Sequence, residues 1–362
     1  MAEKKVTWLE LFCDLLYVAA ISKSTHVLLG VNEGELLFVY LLKFNLIFIP
    51  VWWAWVGQTM FVNRFGRDKL HDRFLLIFQM VFVLILISSL SVDFDRYYIP
   101  FLVGYIGVRA ITAFQYLSVI RKEKSEQNKA AHYLATRFWI GIFISTCSIF
   151  FSSWFKYIVL YLGIIVDIFI PLFGRKYLVK HPVNTTHLLE RFGLLTLILL
   201  GESIISILSV LHPQLGNWKA IGYSVLSFSL IISFWWQYFD NLEKKIDKSV
   251  KTTGQIILYG HLFIYISLSM IAASIQLLFS REIGYYFILN FIFCAAFIYF
   301  LSTTVVFHKY RYENEKLKIF HLGLFLCIII SFFLFDIFFP VSGLIILLQI
   351  NVFFLIYAKV ST

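Results

Sequence analysis

Charge is what this 362-residue sequence has least of: Asp, Glu, Lys and Arg together make up 14% of it, where soluble domains carry about a quarter. That scarcity excludes an ordinary water-soluble fold, and no polar block is long enough to form a separate soluble domain. Cysteine is scarce as well, with four residues. Cys13, Cys147, Cys294 and Cys327 all lie inside apolar runs without a C-x-x-C pair, so neither a disulfide framework nor a zinc site is indicated. A glycine-rich phosphate loop and a G-x-S-x-G elbow are both missing, and His187-x-x-Glu190 lacks the further ligands of a metal site, so no cofactor and no metal are expected.

What the chain has in place of charge is apolar bulk: 60% hydrophobic residues, with forty Phe and twenty Tyr, and a mean hydropathy of +0.82. A spanning helix needs about 20 mostly apolar residues. That ruler predicts twelve helices, near residues 8–29, 36–62, 73–92, 98–120, 132–152, 154–173, 187–211, 217–239, 254–279, 285–308, 318–338 and 340–359. The expected fold is an all-α polytopic transmembrane bundle set in a lipid bilayer. Its tightest turns fall at Ser152-Ser153 and Phe339-Pro340. Met1 to Lys5 is basic, but Glu10 and Asp14 interrupt the run behind it, so it reads as a retained first helix rather than a signal peptide.

The net charge of +10 does not point to nucleic acid, because the basic residues are scattered among short connectors and form no stripe. They accumulate in alternate connectors, at Arg64-Arg67-Lys69, Arg121-Lys122-Lys124-Lys129, Arg175-Lys176-Lys180, Lys244-Lys245-Lys248-Lys251 and Lys309-Arg311-Lys316-Lys318. The intervening ones (GVNEGE, SVDFDRYY, SSWFK, HPQLGNW, SREIG) are poor in Lys and Arg. By the positive-inside rule both termini are cytoplasmic. Two echoes, Glu10-Leu11-Phe12 with Glu190-Arg191-Phe192 and Trp52-Trp53 with Trp235-Trp236, fit a duplication into six-helix repeats, residues 1–180 and 181–362. An even number of helices in each half makes such a repeat parallel.

Ionisable residues inside the apolar runs are the best handle on function, because they are expensive there. Glu10 and Asp14, four apart, share one face of the first helix. Lys23 and His26 lie toward its far end; Lys23 reads as a snorkelling residue, and His26 as an interface or site residue. The seventh run carries His187, Glu190 and Arg191 in its first turns, and Glu202 near mid-membrane. Arg109 sits midway along the fourth run and Asp167 in the sixth. Arginine cannot escape burial by deprotonating, so Arg109 must find carboxylates, carbonyls or an anionic ligand. A static ion-pair network and a network that switches partners as a proton or solute binds both fit this set. Trp52, Trp53, Trp55, Trp235 and Trp236 read first as an interfacial belt and second as a stacked-ring pocket. Asp336 and His261 read as hydrogen-bonding to a neighbouring helix. Pro50 and Pro171 mark kinks within spans.

Two segments, TWLELFCDLLYVAAISKSTHVL at residues 7–28 and HLLERFGLLTLILLGESIISIL at residues 187–208, resemble the signature stretches of the bacterial low temperature requirement A family of integral membrane proteins. The pattern E-L-F-x-D-L-x-[YF]-V runs here from Glu10 to Val18. The pattern H-x-x-E-R-x-G-L-x-[TI]-[IL]-x-x-L-G-E-S runs from His187 to Ser203. A weaker match covers Asp167 to Pro171, and Cys13 stands where the family often has Phe. The resemblance implies a bacterial cytoplasmic-membrane protein; the family is named for growth in the cold and implies no substrate or reaction. The resulting expectation is a secondary transporter of a small solute, coupled to protons or ions, with no bearing on oligomeric state. Its rivals are a membrane-embedded enzyme acting on a lipid or lipid-linked substrate, and a non-catalytic sensor or assembly factor.

Overall fold

A computed structural model describes residues 4–30, 37–122, 129–211, 217–280 and 283–361. The connectors GVNEGE, HPQLGNW and SREIG and residue Lys124 lie wholly or partly outside the described residues, as do the side chains of Arg121 and Lys122. Among those described there are thirteen α-helices and no strand: α1 Trp8–Val27, α2 Leu37–Phe65, α3 Leu70–Ser88, α4 Phe94–Lys122, α5 Lys129–Cys147, α6 Phe155–Phe173, α7 Arg175–Leu178, α8 Thr185–Val210, α9 Trp218–Asp240, α10 Gln255–Ser280, α11 Tyr285–Tyr310, α12 Ile319–Phe338 and α13 Gly343–Ser361. The short α7 was not expected. The other twelve fall on the twelve apolar runs, so the seventh run is α8. Eleven are long and apolar enough to cross a membrane. The exception is α1, in which Glu10, Asp14 and Lys23 fall within twenty residues.

Helix ends moved where side chains took up terminal carbonyls. The second helix runs to Phe65 rather than 62. There Lys4 Nζ donates to the carbonyls of Val62 and, at 2.8 Å, Gly66, supplying donors that the last turn lacks. Lys23 does the same for α3, donating at 3.0 Å to both Ile87 O and Ser88 O. The fifth helix stops at Cys147 instead of 152, passes through a 3₁₀ turn at Ser148–Phe150, and turns at Ser153, whose φ is +56°.

The chain divides into two compact units, one of Met1–Ser24, Leu46–Arg191 and Ser249–Leu258, the other of Thr25–Asn45, Phe192–Lys248 and Tyr259–Thr362. In the first, α3 packs on α4, α4 on α5 and α5 on α6. Val51 to Phe61 of α2 is buried on every side. Pro50 cannot supply the N–H that would bond Leu46 O, and Tyr161 Oη donates to that carbonyl at 2.7 Å instead. The α5–α6 contact depends on small residues. A Cβ added at Gly163 would lie 2.6 Å from Gly141 O and 2.2 Å from Ser145 Oγ. Gly163→Ala is therefore expected to push the two helices apart at a cost of about 1–3 kcal/mol, read as a lowered melting temperature of the detergent-purified protein.

In the second unit, α13 packs on α9 and α12, with Phe234, Tyr299 and Phe354 in mutual ring contact. His261 and Asp336 each hydrogen-bond a neighbouring helix. His261 Nε2 lies 2.7 Å from Tyr238 Oη, and Gln349 Nε2 donates to Asp336 Oδ1 at 3.0 Å. Arg311 joins three segments, reaching Asn241, Glu315 O at 3.2 Å and Ser361 O at 2.6 Å.

Candidate functional site

The site in the first unit begins at the N-terminus of α1. Thr7-x-x-Glu10 forms a capping box: Glu10 N–H donates to Thr7 Oγ1 at 3.3 Å, and Thr7 N–H donates to Glu10 Oε1 at 3.1 Å. The Thr7 hydroxyl also donates to Oε1 at 2.9 Å. One carboxylate oxygen thus starts the helix while Oε2 faces inward.

The start of α8 is fixed in a similar way, with Asn184 Oδ1 accepting from His187 N–H at 3.1 Å. Asn63 of α2 holds that cap from outside. Its Oδ1 accepts from Asn184 N–H at 2.9 Å, and its Nδ2 donates to Asn184 O at 2.9 Å. Because the backbone N–H sets the orientation of the Asn63 amide, Nδ2 must also be the group 3.1 Å from His187 Nδ1. A donor there makes Nδ1 an acceptor, so the neutral ring carries its proton on Nε2. His187 Nε2 lies 3.2 Å from Glu10 Oε2.

Arg191, one turn further along α8, closes the cluster. Nη1 donates to Glu10 Oε2 at 2.6 Å and Nη2 to Asp14 Oδ1 at 2.7 Å. Trp55 Nε1 donates to the same Asp14 oxygen at 2.8 Å. Glu10, Asp14, His187 and Arg191 are all at most 3% exposed. Counting charges is decisive here. Two carboxylates face one guanidinium and a neutral imidazole, so these four side chains, with both carboxylates ionised, carry one negative charge in excess. Such a charge is costly, and one proton removes it.

A second cluster in the same unit is balanced. Arg109 of α4 and Asp167 of α6 form a one-to-one pair, Nε to Oδ2 at 2.5 Å. Trp53 Nε1 donates to Asp167 Oδ2 at 3.0 Å, and Tyr105 Oη lies 3.5 Å from it. The guanidinium lies 4.6 Å from the Phe138 ring centroid and 5.4 Å from that of Trp53, and these ring faces stabilise its charge. Gly57 leaves room for it, since a Cβ there would sit 2.1 Å from Nη1.

The remaining sequence candidates lie elsewhere. Glu190 is exposed on α8. In the second unit, Glu202 is buried and its Oε1 is 3.9 Å from Nδ1 of the exposed His26. Trp53 and Trp55 are 1% exposed and hold carboxylates, which corrects the belt reading for both; Trp235 and Trp236 are exposed. Thr7, Asn63, Asn184 and Trp55 were missed as site residues. The T-x-x-E pattern ahead of an apolar run was the available signal for Thr7.

Glu10 also lines a cavity of about 500 Å³ in the first unit, shared with Lys4, Gln58, Arg64, Gln115 and His181 among others. Burial pushes the His181 imidazole below its usual range, and Arg64 pushes it the same way. Among the described residues, no group of three or more His, Cys, Asp or Glu is disposed to hold a metal ion.

Long apolar helices with ion clusters inside them define a multi-pass helical membrane protein. The chain belongs to the bacterial low temperature requirement A (LtrA) family, whose model matches residues 5–356. It is similar to an uncharacterized protein of Rhizobium meliloti (strain 1021), with 26% identity over 279 residues; that match takes in 72% of this chain and 66% of the relative, just under two thirds of its length. No solved structure matches the chain. The cluster of Glu10, Asp14, His187 and Arg191 joins the two motif segments, and Asp167 opens the third.

Proposed function

We propose that this protein is a secondary transporter of the cytoplasmic membrane that couples movement of a small solute to a proton, with both termini cytoplasmic and residues 1–180 and 181–362 forming parallel repeats. The observation that carries the reading is the charge count of the α1–α8 cluster, a buried site short of one proton whose Glu10 also lines a cavity large enough for a metabolite. Protonation of Asp14, whose Oδ2 has no hydrogen-bond partner among the described residues, weakens its attraction to Arg191 and frees α8 to shift against α1. Loss of the proton restores it. Arg109–Asp167, already neutral as a pair, serves as the fixed frame.

Glu10→Gln tests this cleanly. Gln still forms a capping box with Thr7, and it leaves Asp14 and Arg191 as a balanced pair. The variant is expected to fold with unchanged or higher thermal stability, yet to lose proton-linked solute flux in proteoliposomes containing a pH-sensitive dye. Full flux in Glu10→Gln would sink the proposal.

A further inference from the structure

The cavity beside Glu10 has a chemical character of its own. Its acids are already engaged: Glu10 with Arg191 at 2.6 Å, Asp68 with Arg73 at 2.6 and 2.8 Å, and Asp72 with the Arg67 backbone N–H at 3.3 Å. Lys4 and Arg64 are not matched in the same way. Lys4 donates to the backbone carbonyls of Val62 and Gly66, and Arg64 Nη2 donates to Thr253 O at 2.7 Å. Carbonyls satisfy the donors without neutralising the charge. Lys5 and Arg67, both exposed, are further cations of the wall. Burial pushes the Lys4 ammonium below the usual lysine range, with Glu10 and Asp72 pulling it partly back.

The deeper wall is polar and unsatisfied. Gln58 is 4% exposed and Gln115 1%, and neither side-chain oxygen has a hydrogen-bond partner among the described residues. Leaving buried amide oxygens unpaired is costly. A ligand that brings donors removes that cost.

We infer that this cavity binds a small organic anion bearing hydroxyl groups, with its phosphate or carboxylate against Lys4, Lys5 and Arg64 and its hydroxyls donating to Gln58 and Gln115. The cations attract the charged end and lower its desolvation cost. The amides discriminate, because an analogue lacking hydroxyls leaves their oxygens unpaired. As the identity of a transported solute, this rests on the transport reading above; as a binding site, it stands without it.

Glycerol 3-phosphate is a suitable probe, with glycerol and inorganic phosphate as its two halves. Full-length protein in neutral-lipid nanodiscs, titrated by calorimetry, is expected to bind glycerol 3-phosphate at least about tenfold more tightly than either half, about 1.4 kcal/mol. Raising the salt should weaken binding. Lys5→Gln, at an exposed position that tolerates change, should weaken it severalfold, and Gln115→Leu should reduce the preference over inorganic phosphate. Phosphatidylglycerol in the nanodisc competing away the free probe would support the same chemistry with a lipid headgroup as its source. No binding, or binding indifferent to Lys5→Gln and to salt, overturns the assignment. Flux is read separately on the same preparations. Binding without flux removes the transport reading and leaves the site, whereas proton-linked flux of another solute without glycerol 3-phosphate binding removes the site and leaves transport.

Discussion

Arg191→Met is expected to lower the melting temperature sharply and to reduce the yield of folded protein, because it leaves Glu10 and Asp14 as two buried carboxylates without the guanidinium that both contact. Their oxygens now lie 2.6 and 2.7 Å from the guanidinium. Removing one partner of a buried ion cluster costs about 3–5 kcal/mol. The effect is electrostatic rather than one of volume, and a rescue experiment separates the two. Arg191→Met combined with Glu10→Gln and Asp14→Asn removes both charges while keeping their shapes, and is expected to recover most of the lost stability. If the triple variant is as unstable as the single one, packing by Arg191 dominates and the charge count loses its force. Thermal unfolding of the purified variants, followed by tryptophan fluorescence, makes the comparison, since Trp55 donates to Asp14 from within the cluster.

Asp167→Ala should be comparably damaging in the other cluster. Arg109 is fully buried, and this substitution leaves it only the ring faces of Trp53 and Phe138. It cannot shed its proton to escape, so the expected cost is again about 3–5 kcal/mol. Because this pair is balanced one to one, Arg109→Met with Asp167→Leu should fold nearly as well as the unsubstituted protein and should retain proton-linked flux. That separates it from Glu10→Gln, which keeps stability and loses flux. A double variant that folds but transports nothing would move Arg109 from the frame into the transport site.

The helices were legible because a span announces itself in twenty apolar residues, and all twelve runs became long helices. Their ends were less so, since Lys4 extends α2 and Lys23 caps α3 from positions distant in sequence. The charged residues were legible for the same reason as the helices: Glu10, Asp14, Arg109, Asp167 and Arg191 stand out against their neighbours. Which of them meet was not. Asp14 and Arg191 are brought together by the packing of helices far apart in the chain, and His187 rather than Glu190 turns inward, although both sit on one turn of α8. Trp53 and Trp55 were misread because a belt and a buried donor have the same composition. The surrounding Gly57, Gln58 and Thr59 mark a helix enclosed by protein on every side.

Infrared difference spectroscopy on the reconstituted protein, between acidic and neutral buffer, reads proton uptake at a buried carboxyl directly. The one-proton deficit of the α1–α8 cluster predicts a reversible band from a protonated carboxyl that disappears in Glu10→Gln and persists in the Arg109→Met, Asp167→Leu variant. A difference spectrum unchanged by Glu10→Gln would contradict it.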